Sequence, residues 1–376
     1  MEITAVESVV RGDAHFVAVH TSTGLVGVGQ SACWGYPGAV HAVVETFRPY
    51  LLGADPNRIE HHWQHLYRMG PFRGSVLTAA VSAIDLALWD LLGKRLEVPV
   101  WQLLGGRVRD RIRLHLLLPG TGAQALAEQA AAAAAAGFTA VKFDPLPANY
   151  GDLSLARLVA ETEATTAAVR DTVGPDVDLL IELHRKLTPL QAEAVVPAVG
   201  RLHPLLVEDP IQIDSVSSQA EVTRRALGVP MANGERLHTI WEFKELLAQG
   251  GAQYVRPDLG LAGGISHARK IAALAESYHA AVVSHNCLGP LLTMASVQLD
   301  TAIPNFVTQE YSPLDDTLAD GPARACVRRQ GGFLPVPEAP GLGVTLDLAD
   351  ETPLDLTGRP LTRIPYRADG SVAYAV

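Results

Sequence analysis

The sequence predicts an α/β fold: a (β/α)7β barrel of the TIM type, with an α+β capping domain formed by the N-terminal region and the C-terminal tail. Three observations predict it. From residue 113 onward, eight short apolar segments alternate with longer helical stretches. Single polar residues close most of these segments at a nearly constant interval. The first 112 residues, and those from 321 to 376, lack that rhythm. The expected division is therefore 1–112 as cap, 113–320 as barrel and 321–376 as a segment returning to the cap.

Composition agrees with this. A chain of 376 residues, 48% hydrophobic and 19% charged, can bury a barrel core and an accessory domain. The net charge of −10 without a basic cluster argues against nucleic acid as a partner. The start, MEITAVESVV, has no secretory pattern, and no apolar run suggests a membrane span. Three scattered cysteines, Cys33, Cys287 and Cys326, form no CxxC pair. They fit a reducing cytoplasm and argue against structural zinc.

The elements follow in order. Ile3 to Cys33 alternates apolar and polar residues around Ser22-Thr23-Gly24, which predicts a small antiparallel meander. Val76 to Leu92 repeats apolar residues at helical spacing, with Gly93 as the expected stop. Strand cores are expected near Leu114–Leu118, Ala140–Phe143, Leu179–Leu183, Leu205–Glu208, Val229–Ala232, Tyr254–Arg256, Ala281–Ser284 and Phe306–Thr308. The alanine run Ala130 to Ala136 reads as a closely packed helix. No glycine-rich phosphate loop follows the first barrel strand, which weakens a dinucleotide-binding reading.

Glu182, Glu208, Glu235, Asp258, His285 and Glu310 stand at or just beyond successive strand ends, separated by 26, 27, 23, 27 and 25 residues. One βα unit spans about that length, so each unit delivers one polar group to the carboxyl rim, where barrel enzymes place their catalytic residues. Any one of these alone is an ordinary loop charge; six in phase are not. The trio Glu182, Glu208 and Glu235 offers only oxygen and would repel itself without a cation. Mg²⁺ suits such a set better than zinc does. A metal there stabilises the enediolate formed when a carboxylate substrate loses its α-proton. Asp258 and His285, on adjacent strands, form a candidate base dyad. Glu182 and His184 are two apart, so strand periodicity points both toward the barrel axis, with His184 facing His285 across it.

The run Ser82-Ala83-Ile84-Asp85-Leu86-Ala87-Leu88-Trp89-Asp90, with Gly93-Lys94 and Leu103-Leu104-Gly105-Gly106, resembles the capping-domain signature of the enolase superfamily. Val207-Glu208-Asp209-Pro210, Gly234-Glu235-Arg236, Pro257-Asp258 and Gly263-Gly264 continue the match along essentially the whole chain. Within that superfamily the sequence resembles the mandelate racemase subgroup, and most its acid-sugar dehydratases of the galactonate and gluconate type. The resemblance implies Glu182, Glu208 and Glu235 as Mg²⁺ ligands, Asp258–His285 as base and His184 as the acid that expels the β-hydroxyl. It implies Glu310 as a hydrogen-bond partner of the substrate carboxylate. Two departures stand out. Lys142-Phe143-Asp144 lacks the second lysine of a Lys-x-Lys motif, which weighs against a two-base racemase, and Glu182 replaces the commoner aspartate. Candidate substrate contacts are Lys142, Asp144, Trp34, Tyr36, Arg68 and Arg73. His61, His62 and His65 read as an exposed helix face, and Cys287 as packing.

The expectation is an acid-sugar dehydratase that produces a 2-keto-3-deoxy acid. A racemase, epimerase or lactone cycloisomerase is the nearest alternative, and a non-catalytic sugar-acid-binding barrel the next. The resemblance also implies a homo-oligomer, often an octamer.

Overall fold

The alternating N-terminal segment folds as an antiparallel sheet of β1 (Ile3–Arg11), β2 (Ala14–Thr21) and β3 (Val26–Ser31). The protein is described here by a computed structural model that covers residues 1–318, 321–356 and 365–374. Helices Pro37–Leu51 and Ser75–Leu96 pack on this sheet, and helix Ile59–Arg68 packs against Ser75–Leu96. The last is long and apolar enough to cross a membrane, yet 83% of its apolar window is buried inside the protein. It lies directly on β3 because Gly27 and Gly29 carry no side chain. A Cβ at Gly29 would stand 2.0 Å from the Ala83 carbonyl oxygen. Gly93, the expected stop, is inside this helix, which ends at Glu97 in a left-handed cap with φ 56°. Gly93 is needed for contact instead: a Cβ there would lie 2.7 Å from Gly341 Cα.

Eight parallel strands follow. They are β4 (Arg111–Leu117), β5 (Ala140–Phe143), β6 (Asp178–Glu182), β7 (Leu206–Glu208), β8 (Met231–Asn233), β9 (Tyr254–Val255), β10 (Ala281–Val282) and β11 (Gln309–Tyr311). A helix covers each of the seven connections, the alanine run forming Ala123–Ala135. β11 pairs with β4, and the bridge between Val282 and Phe306 closes the ring. The eighth strand lies slightly later than the expected Phe306–Thr308, so Glu310 sits within it. Inside the barrel, Ala140, Leu180, Leu206, Ala232 and Val283 form an apolar layer. The buried polar groups Lys142, Glu182, Glu208, Arg256 and Glu310 occupy the interior beside it. Parallel pairing sets Glu182 opposite Glu208.

The cap signature is a docking surface for the barrel. Ser82 Oγ accepts the Gly263 amide (2.9 Å), Asp85 accepts the Ser266 amide (3.0 Å), and Trp89 Nε1 donates to Ser266 Oγ (2.9 Å). Asp85 fills the space a side chain at Gly264 would need, since a Cβ there would be 2.2 Å from its Oδ2. Asp90 accepts the amides of Val28 and Leu342 and pairs with Lys94 at 2.6 Å. Helix Ile59–Arg68 buries His62 between the Tyr50 hydroxyl (2.9 Å) and the Asp55 carbonyl (2.8 Å), whereas His61 and His65 are exposed.

The C-terminal segment does more than return to the cap. β12 (Ala323–Ala325) pairs with β14 (Val344–Leu346), and Leu354 bridges Gly12 in the cap. β13 (Phe333–Pro335) instead adds antiparallel to barrel strand β4, and the Ala368 amide donates to Asp152 in the loop after β5.

Candidate active site

Each site residue is placed by the end of a barrel strand. Glu182 and Glu208 close β6 and β7, and Glu235 follows the Gly234 turn after β8. Gly234 has φ 123° and lies against Phe243, where a Cβ would meet the ring at 2.6 Å. The three carboxylates each bring an oxygen within 4.8 Å of the others, and all are buried. Cations grip them from the flanks. Lys142 Nζ lies 3.1 Å from Glu182, 3.3 Å from Glu208 and 2.8 Å from Glu310. Arg256 pairs with Glu208 and Glu310, and Arg185 with Asp209 and, at 2.8 Å, Glu235.

His285 and Asp258 extend the pairing of β9 and β10 through an isolated bridge. The imidazole Nδ1 bonds Asp258 at 2.6 Å, and Nε2 faces Glu235 at 3.4 Å and Glu310 at 3.9 Å. Burial alone would depress this ring. The fields of Glu235 and Glu310 and the bond to Asp258 outweigh it and hold the pKa well above the ordinary value. Burial pushes Glu208 upward, with Glu182 and Glu235 adding repulsion against the opposing pull of Arg256 and Lys142.

His184 reaches the site by a different route from strand periodicity. β6 ends at Glu182, and His184 and Arg185 both take left-handed backbone, φ 49° and 59°. The His184 amide donates to Glu182 Oε1 (2.8 Å), and its Nδ1 meets Asp144 at 3.2 Å. Lys186 pairs with the same Asp144 oxygen. These partners outweigh burial and hold the Asp144 pKa down at about 2.

Above these groups opens a cavity of about 680 Å³, lined among others by Trp34, Lys142, Asp144, His184, Glu235, His285 and Glu310. Tyr36, Arg68 and Arg73 are not among its lining residues. Tyr36 is 60% exposed, Arg68 bonds Gln64, and Arg73 donates to the carbonyls of Gly70 and Phe72 on an exposed loop. Both arginines lie over the Tyr67 ring, which competes for them. At Glu310, Lys142 and Arg256 pair with the two carboxylate oxygens and, against burial, hold the pKa low. Cys287, expected as packing, lines the cavity near His285.

The donor set fits a hard divalent cation. Six buried carboxylates (Glu182, Glu208, Asp209, Glu235, Asp258 and Glu310) face three permanent cations, Lys142, Arg185 and Arg256. Glu208 Oε1 touches Arg256 only as an ion pair, with no hydrogen bond aligned on it. A buried all-oxygen trio whose oxygens converge within 4.8 Å suits Mg²⁺.

Comparison with known proteins places this geometry. Residues 2–105 match the family model for the mandelate racemase/muconate lactonizing enzyme N-terminal domain, and 125–351 match the enolase C-terminal domain-like model. The chain belongs to the mandelate racemase/muconate lactonizing enzyme family. A D-galactonate dehydratase of Ralstonia nicotianae is 35% identical over 341 residues, 89% of each chain. A crystal structure of an Agrobacterium radiobacter enolase, provisionally assigned as a galactarate dehydratase and holding sodium and L-malate, superposes with TM-score 0.90. Its identity is 29% over 100% of both chains. The 3,6-anhydro-D-galactonate cycloisomerase of Zobellia galactanivorans gives TM-score 0.83 at 28% identity, covering 93% of this chain and 98% of that one.

Within this member of the family, sequence reasoning passed over Arg185, Arg256 and Lys186. Arginine and lysine are ordinary surface residues by type, and nothing in Tyr-Val-Arg-Pro announces a guanidinium buried to 0% exposure. Arg236, beside Glu235 at 3.2 Å and over the Trp34 ring, did stand in a recognised motif, Gly234-Glu235-Arg236.

Proposed function

We propose that this protein dehydrates an acid sugar, an aldonate or aldarate, to a 2-keto-3-deoxy acid. The observation that carries the reading is the arrangement of His285 and His184 on one cavity beside the buried carboxylate trio. The resemblance to D-galactonate dehydratases over most of the chain supports it. Glu182, Glu208 and Glu235 would hold Mg²⁺, which supplies charge stabilisation to the substrate carboxylate as its α-carbon is deprotonated. Asp258 fixes the proton on His285 Nδ1 and leaves Nε2 to take the proton from C2. Lys142, already over Glu182, Glu208 and Glu310, faces the carboxylate as its charge grows. His184, oriented by Asp144, gives a proton to the hydroxyl leaving C3, so water departs and the enol tautomerises to the ketone. Asp144 in place of a second lysine leaves no lysine base at that position, which favours elimination over two-base racemisation.

Cycloisomerisation is the second reading, favoured by the likeness to the anhydrogalactonate enzyme. It conserves mass, whereas dehydration makes an α-keto acid. The same reading carries a homo-oligomer, an octamer by family resemblance, in the cytoplasm. Size-exclusion chromatography with light scattering tests the assembly.

The test of activity is a pooled acid-sugar screen with Mg²⁺, detecting keto acid with semicarbazide, with His285→Ala and a chelator as controls. Keto acid from the parent alone supports the reading. No keto acid from any aldonate or aldarate sinks it, and ring-opened or ring-closed isomers of unchanged mass would support the second.

A further inference from the structure

The barrel rim changes its means of support between β10 and β11. Among the described residues, the last backbone hydrogen bond between these two strand ends runs from the Glu310 amide to the Ser284 carbonyl (3.1 Å). Beyond it the chain continues as two loops, one from His285 to the helix Pro290–Ala302 and one from β11 through Ser312. Both loops face the cavity, through His285 and Cys287 on one side and Ser312 and Leu314 on the other. Side chains must therefore hold their separation.

Three buried side chains, Asn286, Thr293 and Asp315, join the loops, and none of them lines the active-site cavity. Asn286 directly follows the base. Its Oδ1 accepts the Leu288 amide (3.3 Å), and its Nδ2 donates to Thr293 Oγ1 in the first turn of the helix. An amide NH₂ can only donate, so the Thr293 hydroxyl must pass its single proton onward. It gives it to Asp315 Oδ1 (2.7 Å), and the other Asp315 oxygen accepts the Ser312 amide (3.0 Å). Gln309, beside Glu310, donates to the Thr293 carbonyl (3.1 Å). A buried network of this kind is stiff while complete and costly once one member is lost. The base loop has a second tie, from Gln30 of the cap to the Leu288 carbonyl (2.8 Å), but that bond does not involve the Glu310 loop.

We propose that Thr293 and Asp315 are positioning residues, which act through Asn286 and Ser312 to fix the loops carrying His285 and Glu310 relative to each other. Nε2 of the base and the Glu310 carboxylate stand 3.9 Å apart under this arrangement. For turnover the proposal rests on the dehydratase reading; for the placement of the His285 ring it does not.

The experiment compares Thr293→Val, Thr293→Ser and Asp315→Asn with the parent, each as full-length protein with Mg²⁺ at one pH. Thr301→Val is the control, since it deletes a buried hydroxyl of the same helix that donates to the Val297 carbonyl (2.7 Å). ¹⁵N NMR of histidine-labelled protein reads the His285 imidazole, identified by its loss in His285→Asn. Its signals should move in Thr293→Val and in Asp315→Asn, whose side-chain NH₂ cannot accept at both ends. They should return in Thr293→Ser and stay in place in Thr301→Val. In the first two variants kcat for keto acid formation should fall by roughly 10–100-fold with KM unchanged, because substrate still binds while the base is misplaced. Parent signals in both variants overturn the proposal, as does movement that Thr293→Ser fails to reverse or that Thr301→Val reproduces. Moved signals with kcat at the parent rate overturn it too. If the parent makes no keto acid from any acid sugar, the dehydratase reading falls, and the His285 signals alone decide the positioning role.

Discussion

His285 shows how one residue's chemistry is set by its neighbours. Buried imidazoles ordinarily shed their proton, yet Glu235, Glu310 and Asp258 reverse that tendency here. With those carboxylates uncompensated the ring keeps a proton; a cation held by Glu182, Glu208 and Glu235 would offset the field and let Nε2 accept one. Replacing His285 with Asn should abolish keto acid formation while the protein still binds Mg²⁺. Asp258→Asn should reduce kcat by about 10²–10⁴-fold by losing control of the tautomer, measured at saturating substrate. The positions of the dyad and the trio at strand ends were legible in the sequence because their spacing matched the βα repeat, whereas His184 was placed by a strand alternation that the left-handed backbone breaks. Of their cationic partners, Lys142 was named but Arg185 and Arg256 were not. Long side chains that turn inward leave no periodic trace, and the left-handed backbone at His184, Arg185 and Asp209 follows no residue rule.

Among the elements, the helix Ser75–Leu96 explains why a family signature need not touch substrate. Ser82, Asp85 and Trp89 bind the start of helix Gly264–Ser277, which begins just after the Asp258 strand end. Cap and the Asp258–His285 pair are thus fixed to one another through Gly263-Gly264. Gly264→Ala meets both Asp85 and an unfavourable φ of 68°, and should cost about 2–4 kcal/mol in chemical denaturation. Gly122→Ala, with φ 80° and ψ 159° but open space around it, separates backbone strain from steric contact and should cost about 1–3 kcal/mol. Strand and helix order was readable from periodicity alone. The tail was not, because β12, β13 and β14 are three residues each and take their pairing from partners distant in sequence.

For the whole molecule, buried acids set the response to pH and metal. Burial raises Asp300 to about 8, with Ser284 donating to it at 2.6 Å, and raises Asp85 and Asp315 to about 7. In the unfolded chain these carboxyls ionise near 4. Their contribution is therefore complete below pH 4 and is lost as pH rises toward 7–8, because the unfolded state releases protons first. Asp300→Asn should flatten the fall in stability between pH 4 and 8 by up to about 1.4 kcal/mol per pH unit, read from urea midpoints. Saturating Mg²⁺ should raise the melting temperature, with a gain of about 2.7 kcal/mol at a hundred times its dissociation constant. Glu182→Gln should diminish that gain.

In the proposed reaction one histidine removes the α-proton and another expels the hydroxyl. Proton NMR in D₂O, with the turned-over acid sugar and Mg²⁺, tests it on His285→Asn and His184→Asn. His184→Asn is expected to exchange the C2 proton while forming little keto acid, and His285→Asn to do neither. Exchange that survives in His285→Asn, or dehydration at the parent rate in His184→Asn, would contradict it.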